Sequence, residues 1–298
     1  MKRKETTNGM KDDIALKGLE AHYYRKRAVR LCALAFGIIL AVLLSAAYVT
    51  SLDKATCMLA HGSVIGAVAY YTSLALVLVL AVLPFAAVPK DKQRSSVMPE
   101  ENRYVFYYTL DNACVKIVRY AVALVIILQG VVRAVLIVSG AEKPAMPIVT
   151  LAIMLVSAIP FALYFLPEIT EKFGKADGRM HMMLGCFGLV YPLLNVLNSY
   201  FDKSYAYGSE YIILQQLCFV SVILATVYDI RYRLDGSGIR KRLAAIGVAF
   251  ALCFGNGFAR TLMLVTVGAV SQTDTCLTFT LLAFSAYCGV RLFFYDED

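Results

Sequence analysis

Two short stretches place chemistry-bearing side chains inside apolar runs. In Ile127–Val138, ILQGVVRAVLIV, the amide Gln129 precedes the guanidinium Arg133 by four residues. In Phe254–Val265, FGNGFARTLMLV, Asn256 precedes Arg260 by the same spacing. A glycine, Gly130 or Gly257, follows each amide directly. Residues four apart share a helix face, so each stretch would present an amide beside a guanidinium. These are the only arginines well inside any apolar run.

A guanidinium at the centre of a bilayer costs roughly 2.5–3.5 kcal/mol on insertion scales. Three arrangements would meet that cost. The side chain could snorkel to the headgroups on its long stem. It could pair with an acid near the same membrane face, such as Glu142, Asp202, Glu210 or Asp274. Or both arginines could face one shared polar cavity and hold an anion. The third arrangement is helped by other polar residues expected at the same depth. Asn195 and Asn198 end one run, Gln215 and Gln216 begin the next, and Tyr70, Tyr71 and Thr72 begin an earlier one. The expected ligand-binding set is therefore Arg133, Arg260, Gln129, Asn256, Asn195, Asn198, Gln215 and Gln216.

The elements that must position these residues are membrane spans. The chain has 298 residues, 59% hydrophobic and 17% charged, with a mean hydropathy of +0.66. A soluble domain is nearer half apolar and a quarter charged. Runs of about 20 apolar residues are long enough to cross a bilayer as helices. Eight such runs are expected: Ala28–Thr50, Val64–Val88, Cys114–Ser139, Ala145–Leu166, Met182–Asn198, Tyr211–Val227, Leu243–Val267 and Cys276–Phe294. The fold class is thus an all-α polytopic membrane bundle.

Basic residues give the orientation. The N-terminal arm carries nine, the second connection with its flank six, the fourth three and the sixth five, and Arg291 borders the C-terminus. The alternate connections carry only Lys54, Lys143 and Lys203. By the positive-inside rule both termini are cytoplasmic, in a protein expected at the plasma membrane. Lys241 and Arg242 read as topology anchors. The arm reads as a solvated basic tail; the other reading is an interfacial helix capped at Asp12 or Asp13, with Leu16, Leu19 and Tyr23 on one face.

The paired motifs also suggest an internal duplication. The first and fifth runs carry Phe36-Gly37 and Phe187-Gly188, and exit into Asp53-Lys54 and Asp202-Lys203. Leu110-Asp111 is echoed by Leu234-Asp235, and Leu163–Glu168 by Leu292–Glu297. The implied organisation is a basic arm (1–27), a four-helix half (28–168), a cytoplasmic linker (169–181) and a second four-helix half (182–298). An even number of spans per half makes these parallel repeats about an axis along the membrane normal.

Other chemistry is not indicated. All Asp and Glu fall in loops, tails or span ends, which argues against a buried carboxylate relay. His22, His61 and His181 lie at or beyond span ends, so no metal or haem is expected. The eight cysteines form no C-x-x-C pair; Cys57 and Cys276 lie near one face, but spacing alone establishes no bridge. No nucleophile, cofactor motif or nucleic-acid patch is evident, so a non-enzyme is expected. The leading functional expectation is a carrier or binder of a small anionic or polar ligand. The alternative is a non-catalytic scaffold or sensor subunit of a membrane complex. Expected partners are membrane lipid, a small anionic ligand or another membrane protein, and not nucleic acid.

The orientation has a direct test on a cysteine-free background. Cysteines introduced beside Lys143 and Lys203 label with an impermeant maleimide from outside the cell. Those beside Lys92 and Arg240 do not. Labelling at position 240 would overturn the topology.

Overall fold

Apolar runs this long must satisfy every backbone polar group within the segment, and in the computed structural model they do so as helices. The structure describes residues 3–59, 63–88, 113–141, 146–166, 178–202, 206, 208–235, 238–268 and 271–293, with side chains in the first helix from Arg25 onward. In chain order the elements are α1 Arg3–Ser51, β1 Leu52–Asp53, β2 Met58–Leu59, α2 Val64–Ala87, α3 Ala113–Val138, α4 Ile148–Tyr164, α5 Gly178–Gly188, α6 Val190–Phe201, α7 Glu210–Asp235, α8 Ile239–Thr266 and α9 Gln272–Phe293. The 169–181 linker falls largely outside the described residues, as do Leu110-Asp111 and Glu168.

Seven helical stretches are long and apolar enough to cross a membrane. They are Arg25–Ser51, α2, α3, Met180–Phe201, Glu210–Tyr232, α8 and α9. The expected span Ala145–Leu166 is a shorter helix of 17 residues, because Pro147 caps its start and Phe165 ends it. At ~1.5 Å per residue it is about 26 Å long, slightly less than a typical hydrocarbon core. Many large apolar side chains face outward, among them Val42, Leu78, Val135, Val156 and Ile159. A water-soluble protein does not present so much apolar surface, whereas lipid tails cover it at no cost. The chain is an integral membrane protein with an all-α fold.

The backbone of the N-terminal arm is helical from Arg3 and continuous with the first span. A separate helix starting at Asp12 or Asp13 is therefore not formed. The fifth expected span is two helices, α5 and α6, joined at Leu189. Pro192 lacks the N–H that would bond the carbonyl of Gly188, and its ring crowds that carbonyl. The helix is kinked there. It brings Gly188 so close to α4 that an added Cβ would lie 2.6 Å from the Phe161 Cα.

Helix α8 is the centre of the bundle. It packs against α1, α2, α7 and α9, and it is buried around most of its circumference from Arg242 to Cys253. Small residues such as Ala244, Ala245, Gly247, Ala249 and Ala251 allow this, since they let neighbouring backbones approach closely. The closest approach is at Gly255, where an added Cβ would sit 2.6 Å from Leu40 Cβ on α1. Helix α3 packs against α4 and α9, and α4 also meets α5 and α6.

The antiparallel β1–β2 hairpin closes one end of the bundle. Asp53 organises its turn by accepting from Ala55 N at 3.0 Å and Thr56 Oγ1 at 2.7 Å. The hairpin is tied to the start of α7 by Leu59 N donating to Glu210 Oε2 at 3.2 Å and by Ser209 Oγ donating to Cys57 O. Lys54 donates to Val267 O at the end of α8. Cys57 and Cys276 are both free thiols. Burial pushes the Cys57 thiol up to about 12, so it stays protonated and unreactive near neutral pH.

Two alanine substitutions separate close packing from helix propensity. Gly255→Ala should destabilise the protein by about 1–3 kcal/mol, as overpacking does. Gly247→Ala, whose new Cβ would meet only Ala33 at an ordinary 3.6 Å, should be neutral or stabilising. Thermal unfolding of the two variants in the same detergent checks the contrast.

Candidate functional site

Among the described residues, three buried polar groups stand out. Two lie toward the hairpin end and one at the opposite end.

Arg260 on α8 centres the first group and is 1% exposed. Its Nη1 donates to Asp274 Oδ1 at 2.8 Å and to Gln215 Oε1 at 2.7 Å. Its Nη2 donates to Tyr211 O at 3.0 Å and its Nε to Asn256 Oδ1 at 3.2 Å. The guanidinium lies over the Tyr211 ring, 3.7 Å from its centroid. The Tyr211 hydroxyl donates to the other carboxylate oxygen of Asp274 at 2.5 Å, and Tyr48 from α1 donates to Asn256 Oδ1 at 2.9 Å. Asp274 lies in the first turn of α9, where the helix dipole favours an acid. Of the ways to meet the cost of a buried arginine, Arg260 uses the ion pair. It neither snorkels nor opens onto a cavity shared with Arg133.

Arg133 on α3 belongs to the second group, held by different side chains. Its Nη1 lies 3.5 Å from Asn195 Oδ1 and 3.7 Å from Met154 Sδ. Gln129 Nε2 donates to the same Asn195 oxygen at 3.3 Å, and Asn195 Nδ2 donates to Tyr191 O at 3.0 Å. Gln129, Asn195 and Asn198 are all buried. Gln129 Oε1 and Asn198 Oδ1 nevertheless accept no hydrogen bond. Most buried polar atoms in proteins are paired, and each exception needs an explanation.

The structure therefore brings together Arg133, Gln129, Asn195 and Asn198 at one place, and Arg260, Asn256 and Gln215 at another. Gln216 is only half-buried, and Tyr71 is exposed, so neither joins a buried group.

The third group lies near the ends of α7 and α9, at the opposite end of the bundle. Asp229 accepts from Arg291 Nη2 at 2.7 Å, from Arg242 Nε at 2.9 Å and from the Tyr164 hydroxyl at 3.0 Å. His181 stacks on Tyr164 with ring centroids 4.9 Å apart. A small cavity beside them, about 10 Å³, has room for about one water molecule and is lined partly by Tyr164, Asp229, Tyr287 and Arg291. Arg242 and Arg291 are thus not lipid-facing anchors. Both are buried, as are Arg119 and His181. Helix α7 runs on to Asp235, past the apolar run that ends at Val227, and so carries Asp229 within it.

Aromatic rings fill the space between the second and third groups. Phe161 lies 5.7 Å from Tyr191 and 6.0 Å from Phe284, and Phe284 lies 6.2 Å from Phe219. Phe165 continues the chain of rings to Tyr287 at 4.6 Å. Among the described residues no cluster of His, Cys, Asp or Glu could hold a metal ion.

No protein-family model, curated protein or solved structure matches this chain.

Removing one partner of a buried ion pair typically costs 3–5 kcal/mol, because the other charge is stranded. Asp274→Asn should cost about that much, and the double change Asp274→Leu with Arg260→Met should recover most of it. Thermal unfolding of single and double variants measures the difference. A double variant destabilised by the sum of the single effects would mean that the pair is not coupled.

Proposed function

We propose that this membrane protein binds a small anionic or polar ligand beside Arg133 and acts as its carrier or receptor. Both termini would face the cytoplasm at the plasma membrane, and the hairpin end would face outward. The observation that carries the reading is the pair of buried amide oxygens, Gln129 Oε1 and Asn198 Oδ1, that accept no hydrogen bond beside a guanidinium. A polar group left unpaired inside a membrane bundle costs roughly 1–3 kcal/mol. A ligand that satisfies it regains that cost. The aromatic rings below Tyr191 would then separate the site from the opposite end, as a closed gate does.

Proposed site residues are Arg133, Gln129, Asn195 and Asn198. Arg260, Asn256 and Gln215 support them structurally, because their hydrogen bonds are already made within the protein. That completeness also favours the second reading, a scaffold or sensor subunit of a membrane complex, in which buried polar groups only fix the packing.

The duplication belongs to the same proposal. Gly130 meets Leu155, and Gly257 meets Leu282, each leucine 25 residues beyond its glycine (130 to 155, 257 to 282). The α3–α4 and α8–α9 pairs therefore use the same helix contact, as two copies of one four-helix unit would.

A thermal-shift screen of the purified protein against small anions and polar solutes tests the function. At 100 times its Kd a ligand should stabilise the folded state by about 2.7 kcal/mol. Arg133→Gln should abolish that stabilisation while leaving the protein folded. If no compound stabilises the protein, or one acts equally on Arg133→Gln, the scaffold reading stands instead.

A further inference from the structure

The end of the bundle opposite the hairpin carries a charged surface that the ligand reading above does not use. Its position follows from the packing of α1 on α8. An added Cβ at Gly247 would meet Ala33 Cβ at 3.6 Å, one at Gly37 would meet Ala251 Cα at 3.5 Å, and one at Gly255 would meet Ala41 N at 3.3 Å. Each partner on α8 lies 214 residues further along the chain (33 to 247, 37 to 251, 41 to 255). The two helices therefore run parallel in a constant register, with small residues on both sides of every contact. One turn earlier the same register pairs Val29 with Leu243, and both are buried.

A further turn sets Arg25–Arg27 of α1 level with Ile239–Lys241 of α8. Arg25, Arg27 and Lys241 are exposed, and Arg240 is half-buried. Arg240 Nε is covered from solvent and makes no hydrogen bond. Helix axes in packed pairs are roughly 8–10 Å apart, about one Debye length at physiological salt. Apolar packing thus gathers these cations at one level against their own repulsion. Among the described side chains Asp229 is the only acid at this end, and it is buried and accepts from Arg242, Arg291 and Tyr164. The patch also lies where apolar surface gives way to charge. Next to it on α1, Ala28 and Leu31 face outward, and on α8 the apolar run begins at Leu243. The phosphates of a bilayer lie at that boundary.

We infer that Arg25, Arg27, Arg240 and Lys241 form a docking surface, bridging α1 and α8, for the phosphate headgroup of an anionic membrane lipid. Charge complementarity carries the choice of occupant. Each basic residue at the surface adds to the attraction for an anionic leaflet. A phosphate oxygen accepts charge-assisted hydrogen bonds from guanidinium and ammonium groups alike. A zwitterionic headgroup brings its own cation to the same place and is favoured less. A phosphate seated between the helices replaces their mutual repulsion by attraction to both, and so clamps the pair. The inference is independent of ligand binding beside Arg133.

The experiment uses the full chain in nanodiscs of phosphatidylcholine, with part of it replaced by phosphatidylglycerol. Retained lipid is measured by native mass spectrometry, and stability by thermal unfolding. The expected result is retention of phosphatidylglycerol at least about fivefold above phosphatidylcholine at equal abundance, falling toward parity at high salt. Arg27→Gln with Lys241→Gln, one change on each helix, should bring the ratio below about twofold. Lys116→Gln, at the same end but on α3, which packs against α4 and α9, should leave it unchanged. The comparison between lipids on the unmodified chain needs no variant, so a variant that misfolds leaves the test intact. Equal retention of the two lipids overturns the inference. A loss of preference as large in Lys116→Gln as in the paired variant also overturns it, since the attraction would then be diffuse. Stabilisation in pure phosphatidylcholine by soluble glycerophosphate or a glutamate-rich peptide, as great as that given by phosphatidylglycerol, would assign the patch to a free phosphate or an acidic partner and overturn the lipid assignment.

Discussion

A guanidinium enclosed on every side must find its counter-charge inside the protein, and Arg260 sets much of the architecture by doing so. Its partners come from three helices around α8. Tyr48 on α1 fixes Asn256, Tyr211 and Gln215 come from α7, and Asp274 comes from α9. Bringing these side chains within hydrogen-bond distance requires the helices to approach closely. The small residues of α8 and the absence of a side chain at Gly255 make that approach feasible. The hairpin completes the arrangement by bridging the ends of α1, α7 and α8. Packing and electrostatics here are one constraint, because neither the ion pair nor the close helix contacts would hold without the other.

The opposite end repeats the solution with the sign reversed. A carboxylate on α7, Asp229, is shared by arginines of α8 and α9 and by the Tyr164 hydroxyl of α4. Helices α7, α8 and α9 are therefore pinned at both ends by charge. Gln129 on α3 and Asn195 on α6 are joined by an amide hydrogen bond at 3.3 Å. The aromatic rings of Phe161, Phe219 and Phe284, from α4, α7 and α9, pack together between the two polar levels.

Much of the fold was legible in the sequence, because lipid imposes long apolar runs and Arg inside such a run stands out. The positions of seven long apolar helices, the buried Arg133 and Arg260, and the candidate partner Asp274 all follow from that signal. The kink at Leu189 follows less directly, from Pro192. The Asp229 group was not legible, for a physical reason. Hydropathy marks where a helix leaves lipid, not where it leaves protein. Helices α7 and α8 stay packed beyond their apolar runs, so Asp229 and Arg242 look like loop charges and are in fact interior. Periodicity likewise could not show that Arg133 and Arg260 belong to separate groups, since that depends on which helices adjoin α3 and α8.

The divergence of the two matched motifs is the most informative consequence. Arg260 reaches Asp274, which lies 14 residues further along the chain (260 to 274). The same step from Arg133 reaches Pro147, the residue that caps α4 and has no side-chain acceptor. The first motif thus keeps the arginine, its amide and its glycine contact but not the acid at the matching position. The amide oxygen of Asn195 on α6 lies beside Arg133 at 3.5 Å. Within one bundle, the same short motif therefore supports two outcomes. Where the carboxylate is supplied by the chain, the motif locks helices together. Beside Arg133, the amide oxygens of Gln129 and Asn198 are buried without a donor.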